Sequence, residues 1–540
     1  MHDGRFGEAR GSESGKISLF ESSFGRQIVA MQTPEPRKNR DLAWLTAGLA
    51  ALVVLFHIGL ALKGQGRFRD QHLGAALHYA ATRIDLQHTI IPGMNVGDSP
   101  TIQELPVWQA AAGLVFKALG TWWGWGNVVS LLLFLPCLYP LFQIGRRYYG
   151  ERAAWWAVAA FLCQGLVFCY AGEAGTDGFS LAVTIWFWFA CVRLLEQPMK
   201  WLVPALVLGV LSATAKLPFF LAAGLAAFFL LLKTEGLNWR KLSVLAAVGA
   251  VTGVIFLGWT HYTDRLQANA VLPYVDLRLG GNSVEGTTMT FWYFGDLHYR
   301  LNPVNWIKAG YRIANDLFGC YALILLFGGA LVSRRIHPAA KYLLAGGALS
   351  TLVFTHLVLH HHHYYLMFAP AVALLLGAAL AASETFLVER SLRPAAVTAT
   401  GAALLLAGLA QGLISFRALS LDPFPVNIAS LIRSHTSPQD KLLVINGGWG
   451  GEQFMRTGRQ GLSIWDAKIF EDPAKYAQLK QLGYNRLVIV SESPYLNAIQ
   501  IINPGQTGLP RKMAKDYLTP RVDSWPTVLA NDDLIIKEVR

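Results

Sequence analysis

Charge is scarce in this chain. Of its 540 residues, 15% are charged and 53% are hydrophobic, and the mean hydropathy is +0.36. The apolar residues gather in long blocks rather than following helix or strand periods, which excludes an ordinary water-soluble domain and indicates a multi-pass membrane protein. Acidic residues are the rarer charge, 34 against 46 Lys and Arg, for a formal net charge of +12. That surplus does not mark a nucleic-acid partner. The basic residues sit in short clusters between apolar blocks, at 37–40, 145–147, 238–241 and 333–335, where they set membrane topology. Cysteine is also sparse: five residues, all in or beside apolar blocks and without metal-ligand spacing. They read as inert packing groups, with no disulfide framework. No apolar core of a signal peptide precedes the first long hydrophobic run. Residues 1–40 are expected to be a disordered cytoplasmic tail, and Met31 is an alternative start.

The apolar blocks give about eleven spans. They are Leu42–Leu62, Asn127–Ile144, Ala153–Tyr170, Phe179–Leu195, two halves within Trp201–Leu232, Leu242–Trp259, Leu317–Val332, Tyr342–Leu359, Leu366–Ala382 and Pro394–Phe416. The Trp201–Leu232 block breaks at Lys216-Leu217-Pro218, which predicts a broken hairpin with its tip outward. Val107–Leu119 has only 13 residues, fewer than the roughly 17 a spanning helix needs, so it is expected at the interface or as a re-entrant helix. The basic clusters place the N-terminus inside, and the odd count places the C-terminus outside. The expected organisation is therefore an all-α polytopic domain over 41–417, with outer loops at 63–125 and 260–316, then a small α/β domain over 418–540 facing the extracytoplasmic side. Within that last part, 441–447 and 486–492 read as buried strands and Ala474–Leu482 as a helix. The Gly-rich stretch 447–452 lacks the spacing of a dinucleotide fingerprint and reads as a turn.

This topology puts the polar residues found near span ends on one face. Asp70 follows the first span and Glu104 lies in the same loop; Asp177 sits in GEAGTDG (172–178), and Lys216 at the helix break. Either Asp alone reads as readily as a helix cap or a solvated loop acid as it does as a functional group. Together at one membrane face they favour function. A lysine inside an apolar hairpin either snorkels or meets an anion. The run of four histidines, 360–363, invites a metal, but consecutive residues on a helix point in different directions, and an interfacial polar cluster is the simpler reading. Asp296 and His298 stand open between joining such a site and lining an entrance.

In their order, these pieces resemble the GT-C glycosyltransferase superfamily, particularly the branch of lipid A aminoarabinose transferases and bacterial protein O-mannosyltransferases (the dolichyl-phosphate-mannose-protein mannosyltransferase family). The matching pieces are Asp70 after the first span, the E-x-P-x-W segment Glu104–Trp108 followed by Gln109, and the GRRYYGERAA turn. They continue with Glu173 and Asp177 in E-x-x-x-D, the break at Lys216, and the H-x-Y-Y run of His362, His363, Tyr364 and Tyr365. The resemblance covers roughly 40–385. It implies an inverting transfer of a sugar from a polyprenyl-phosphate carrier to a lipid, polysaccharide or protein acceptor, at the outer face of a bacterial inner membrane. Asp70 would be the general base, with Asp177 and Glu104 in the same centre. Lys216, Arg67, Arg69 and Arg278 are the candidates to hold the phosphate. Glu173, Asp296, His298, His362, His363, Tyr364 and Tyr365 would line the cavity. No cofactor is firmly implied, although a divalent metal has room in the reading. The chain departs from the family where Gln71 replaces a second acid and where Leu105 replaces a lysine. Those departures keep an inactive scaffold in view. A lipid-linked glycan transporter is the other alternative, weakened because only one broken hairpin is visible and it has no partner in the other half.

Overall fold

The computed structural model describes residues 39–63, 70–91, 93, 104–268, 288–419, 426–445, 452–464, 473–490, 522–531 and 534–539, with Asp70 described through its backbone alone. Arg67, Arg69, Arg278, the tail before residue 39 and the Gly-rich 446–451 lie outside the described residues.

The chain is a helical bundle with a five-stranded sheet at one end. The first part comprises α1 (Arg40–Leu62), α2 (Asp70–Ala81), α3 (Val107–Leu119), α4 (Gly124–Tyr149), α5 (Glu151–Leu162), α6 (Gly165–Ala171) and α7 (Thr176–Leu194). It continues through α8 (Pro198–Ala215), α9 (Leu217–Glu235) and α10 (Trp239–Ala268). After the segment 269–287 come α11 (Met289–Phe294), α12 (Leu297–Leu301), α13 (Pro303–Phe318), α14 (Tyr321–Val332), α15 (Ala339–Val353), α16 (Thr355–His360), α17 (His362–Glu389) and α18 (Pro394–Leu419).

Among the described residues eight helices are long and apolar enough to cross a membrane, or ten when the bent pairs α5/α6 and α13/α14 each count as one span. The eleventh expected segment, 342–359, is split into the 15-residue α15 and the short α16. The halves around Lys216 are two spans, as expected, and longer than the apolar run suggested, α8 and α9 having 18 and 19 residues. One expectation needs correction, because interruptions are not confined to one place: α5 and α6 meet at 72° and α13 and α14 at 104°. Sequence hides the first bend because both halves stay apolar, and the second because α13 is amphipathic and falls mostly within the expected outer loop 260–316. Packing allows them. The second bend turns on Gly319, in the left-handed region at φ +60°, where a Cβ would stand 2.4 Å from the Gly408 carbonyl oxygen of α18. Outside the breaks, small residues bring helices together. A Cβ at Gly377 of α17 would lie 2.4 Å from the Ala153 carbonyl oxygen of α5, the close backbone approach that lets helices associate where no hydrophobic gain separates protein from lipid.

The sheet runs β2-β1-β3-β5-β4, formed by β1 (Lys441–Ile445), β2 (Gln460–Ile464), β3 (Tyr484–Val490), β4 (Thr527–Ala530) and β5 (Leu534–Glu538). β1 pairs parallel with β2 and β3, and β5 joins β3 antiparallel. The expected strands at 441–447 and 486–492 and the helix at 474–482 are all present, the helix as Pro473–Gln481. The sheet does not hang free. The Ser463 amide donates to the Gly93 carbonyl at 2.9 Å, and the Arg456 guanidinium sits 5.2 Å from the Trp123 ring. The loop after α1 is thereby clasped between bundle and sheet.

Candidate active site

The segment Glu104-Leu105-Pro106-Val107-Trp108 shows how a short motif can fix a charge in place. Pro106 precedes α3, where its missing N–H costs nothing. Trp108 is buried, and its indole N–H donates to Ser130 Oγ at 2.9 Å. The Leu105 amide donates to the Thr214 carbonyl at 3.1 Å, two residues before Lys216. That single backbone bond sets Glu104 beside the junction of α8 and α9. Lys216 is extended there (φ −155°, ψ 98°), the last residue before α9, and Pro218 enforces the restart of the helix.

The result is a buried cluster. Lys216 Nζ lies 3.2 Å from Glu104 Oε1 and 3.0 Å from Asp177 Oδ1, and 4.9 Å from the centre of the Tyr364 ring. Asp177 is 3% and Lys216 7% exposed, so the ammonium neither snorkels nor sits unbalanced. Asp177 stands in the first turn of α7, where the helix dipole favours a negative charge. The turn that carries it is tied down from α4. Asn127 Nδ2 donates to the Gly172 carbonyl at 2.7 Å, and Ser130 Oγ donates to the Glu173 carbonyl at 2.7 Å. Removing one partner from so buried an ion pair costs on the order of 3–5 kcal/mol, because the other charge is left uncompensated.

A polar relay not foreseen from sequence backs this cluster. Gln109 Nε2 donates to His72 Nδ1 at 2.8 Å, which leaves the His72 Nε2–H to donate to Thr176 Oγ1 at 3.1 Å. The Thr176 hydroxyl donates in turn to Glu104 Oε2 at 2.7 Å. Each member is next to, or two positions from, a residue already singled out: His72 after Asp70, Thr176 before Asp177. Adjacency was the only signal, since nothing in the sequence says that these side chains share a chain of bonds.

The other expected site residues divide. Asp70 opens α2, two residues before His72. Glu173 is buried in the turn before α7. His362 pairs with the Tyr170 hydroxyl at 2.7 Å, and the His363 ring lies 4.6 Å from Tyr364, so both belong to the aromatic wall that reaches Lys216. Tyr365 instead faces the hydrophobic core, 1% exposed. Asp296 is exposed and caps α12, its Oδ1 accepting from the Tyr299 amide at 2.7 Å, and His298 is exposed beside it. No group of three His, Cys, Asp or Glu among the described residues is arranged to hold a metal ion.

No family profile and no curated protein matches the sequence. Solved structures do. ArnT from Cupriavidus metallidurans bound to undecaprenyl phosphate matches with a TM-score of 0.59 over 92% of this chain and 98% of that one, at 13% identity. The Archaeoglobus fulgidus oligosaccharyltransferase in complex with Zn and sulfate matches with a TM-score of 0.53 over 88% and 71%, also at 13% identity, and its apo form at 0.55 and 12%. The chain shares the fold of these proteins. Within this fold, the charged cluster occupies the junctions of α3, α7, α8 and α9 on the face that carries the sheet. Lys216, Asp177 and Glu104 come from three stretches up to 112 residues apart in sequence.

Proposed function

We propose that this protein is a membrane glycosyltransferase that moves a sugar from a polyprenyl-phosphate carrier to a lipid, polysaccharide or protein acceptor, at the outer face of the bacterial inner membrane. The observation that carries this reading is the buried lysine held by two carboxylates on one face of a GT-C bundle. A lysine poised in this way can exchange a carboxylate for the phosphate of a lipid-linked donor, and the carboxylates keep it oriented until donor arrives. Two solved relatives of this fold fit the donor class: one holds undecaprenyl phosphate, and the other is an oligosaccharyltransferase.

In the reaction we infer, Asp70 takes the proton of the acceptor hydroxyl or amine as that group attacks the anomeric carbon. The bond from that carbon to the phosphate oxygen breaks on the opposite face, its electron pair leaves on the polyprenyl phosphate, and the configuration inverts. Lys216 stabilises the leaving phosphate, assisted by Arg67, Arg69 and Arg278. Asp177 and Glu104 hold Lys216, and His362, His363 and Tyr364 border the same space. The two bent spans, one in each half of the chain, are the feature a transporter would share. The charged cluster, however, lies at helix ends on one face rather than at either bend.

The test is turnover of a polyprenyl-phospho-sugar by the purified full-length chain. Asp70→Asn is expected to lower turnover by about 10²- to 10⁴-fold, the usual worth of a general base. Lys216→Met is expected to weaken donor binding as well. Full activity in Asp70→Asn removes Asp70 from the role of base.

A further inference from the structure

The helices that bring Asp177 and Lys216 together have a second meeting place at their other ends. α7 has 19 residues and α8 has 18, so at about 1.5 Å per residue each is roughly 27–29 Å long. Their far ends therefore lie about one hydrocarbon thickness from the charged cluster. There α4, α7 and α8 enclose a cavity of about 600 Å3, lined among others by Tyr139, Arg146, Arg147, Trp186, Arg193 and Trp201.

The polar part of this cavity carries a surplus of positive charge. Glu196 is the carboxylate that serves it: Arg147 pairs with it, and Arg193 Nη1 donates to it at 2.9 Å. Three guanidinium groups thus face one carboxylate. Arg146 is exposed and has the Phe142 ring as its neighbour, at 5.9 Å, and no carboxylate among the described residues pairs with it. The neighbouring imidazole adds no charge, because burial and then Arg147 push His337 down to about 4 while its ring stacks 4.4 Å from Tyr148. Lys341, on the next helix, is turned away and donates to the Ser333 carbonyl at 2.6 Å.

The rest of the wall is aromatic and opens toward lipid. Tyr139 stacks on Trp186 at 6.0 Å, and Trp201 meets Phe189 edge-on at 5.4 Å. Tyr139 is 56% exposed, and Leu132 and Val203 on the flanking helices are about two-thirds exposed. Aromatic rings beside arginines at a span end are the groups that settle at the headgroup level of a bilayer, and arginine matches a phosphate with two parallel donors. A free phosphate would have no use for the aromatic walls or the lipid-facing mouth.

We propose that this cavity binds an anionic phospholipid of the leaflet opposite the reaction centre, with the phosphodiester between Arg146 and Arg193 and the acyl chains leaving past Tyr139 and Trp201. Arg147 and Glu196 preset the neighbouring guanidinium groups.

Native mass spectrometry of the full-length chain, exchanged into detergent with phosphatidylglycerol or phosphatidylcholine, tests it. Phosphatidylglycerol is expected to be retained at one per chain and phosphatidylcholine to wash off. Arg146→Gln should lower that retention about tenfold, as loss of one charge-assisted hydrogen bond does. Arg334→Gln, in an exposed turn at the same face but outside the cavity, should leave it unchanged. Equal retention of the two lipids, or undiminished retention in an Arg146→Gln chain with the wild-type melting temperature, overturns the proposal. Displacement of the lipid by millimolar inorganic phosphate also overturns it and reassigns the cavity to a free anion.

Discussion

Lys216 shows what one residue can and cannot disclose. Its place in an apolar block marks it as costly, and the Pro218 that follows marks a helix break. Neither feature names its partners, Glu104 and Asp177, which lie 112 and 39 residues upstream. The relay behind Glu104 is still less legible, since His72 and Thr176 have no motif of their own and the motif that ends at Gln109 does not name its partner. Its geometry makes His72 a positioning residue for the carboxylate. His72→Leu removes the donor to Thr176 and is expected to lower kcat about tenfold, in line with loss of one hydrogen bond between neutral groups, with little change in the donor KM. His72→Gln keeps an N–H at that position and should recover most of the rate. Equal losses in the two variants, or a loss carried wholly by KM, would show that the imidazole only fills space.

Elements were legible in proportion to their length and apolarity. The long spans and the 13-residue α3 fall close to their expected bounds, because a hydrophobic run of a given length has few places to go in a bilayer. The bends at α5/α6 and α13/α14 were not legible, since apolar side chains continue across the first, the amphipathic α13 reads as loop before the second, and both bends pack against α18. Close packing at Gly377 yields a prediction at this scale. A methyl group there would meet the Ala153 carbonyl oxygen at 2.4 Å and the Ala157 amide nitrogen at 2.5 Å. Backbone atoms cannot swing aside, so Gly377→Ala should destabilise the α5–α17 pair by about 1–3 kcal/mol. A lowered melting temperature of the detergent-solubilised chain, with retained turnover per folded molecule, is the expected readout. An unchanged melting temperature would mean that the two helices can separate without loss.

At the scale of the whole molecule, the sheet and the charged cluster share a face, because β2 is hydrogen-bonded to Gly93 and Arg456 lies over Trp123. The turn at 333–338 is at the other face, beside Tyr148. This two-sidedness gives a direct test of orientation in the membrane. Lys480→Cys, exposed on the sheet side, should react with a membrane-impermeant maleimide in cells with a permeable outer envelope, and Arg334→Cys should react only after lysis. The four buried native cysteines and half-buried Cys320 leave a low background. Labelling of both positions from one side would break the arrangement, and the reverse pattern would invert it. What the sequence determined by itself was the membrane class, the span positions, the sheet at the C-terminal end and the residue types able to carry a transfer reaction. These are local properties, set by hydrophobic length and side-chain chemistry. Only the tertiary structure decided that Lys216 is clamped between two acids, that His72 backs one of them, that Asp296 is a helix cap and Tyr365 a core residue, and that α7 and α8 carry polar clusters at both of their shared ends. Contacts between distant segments follow from how helices pack, and helix packing leaves no periodic trace in the chain.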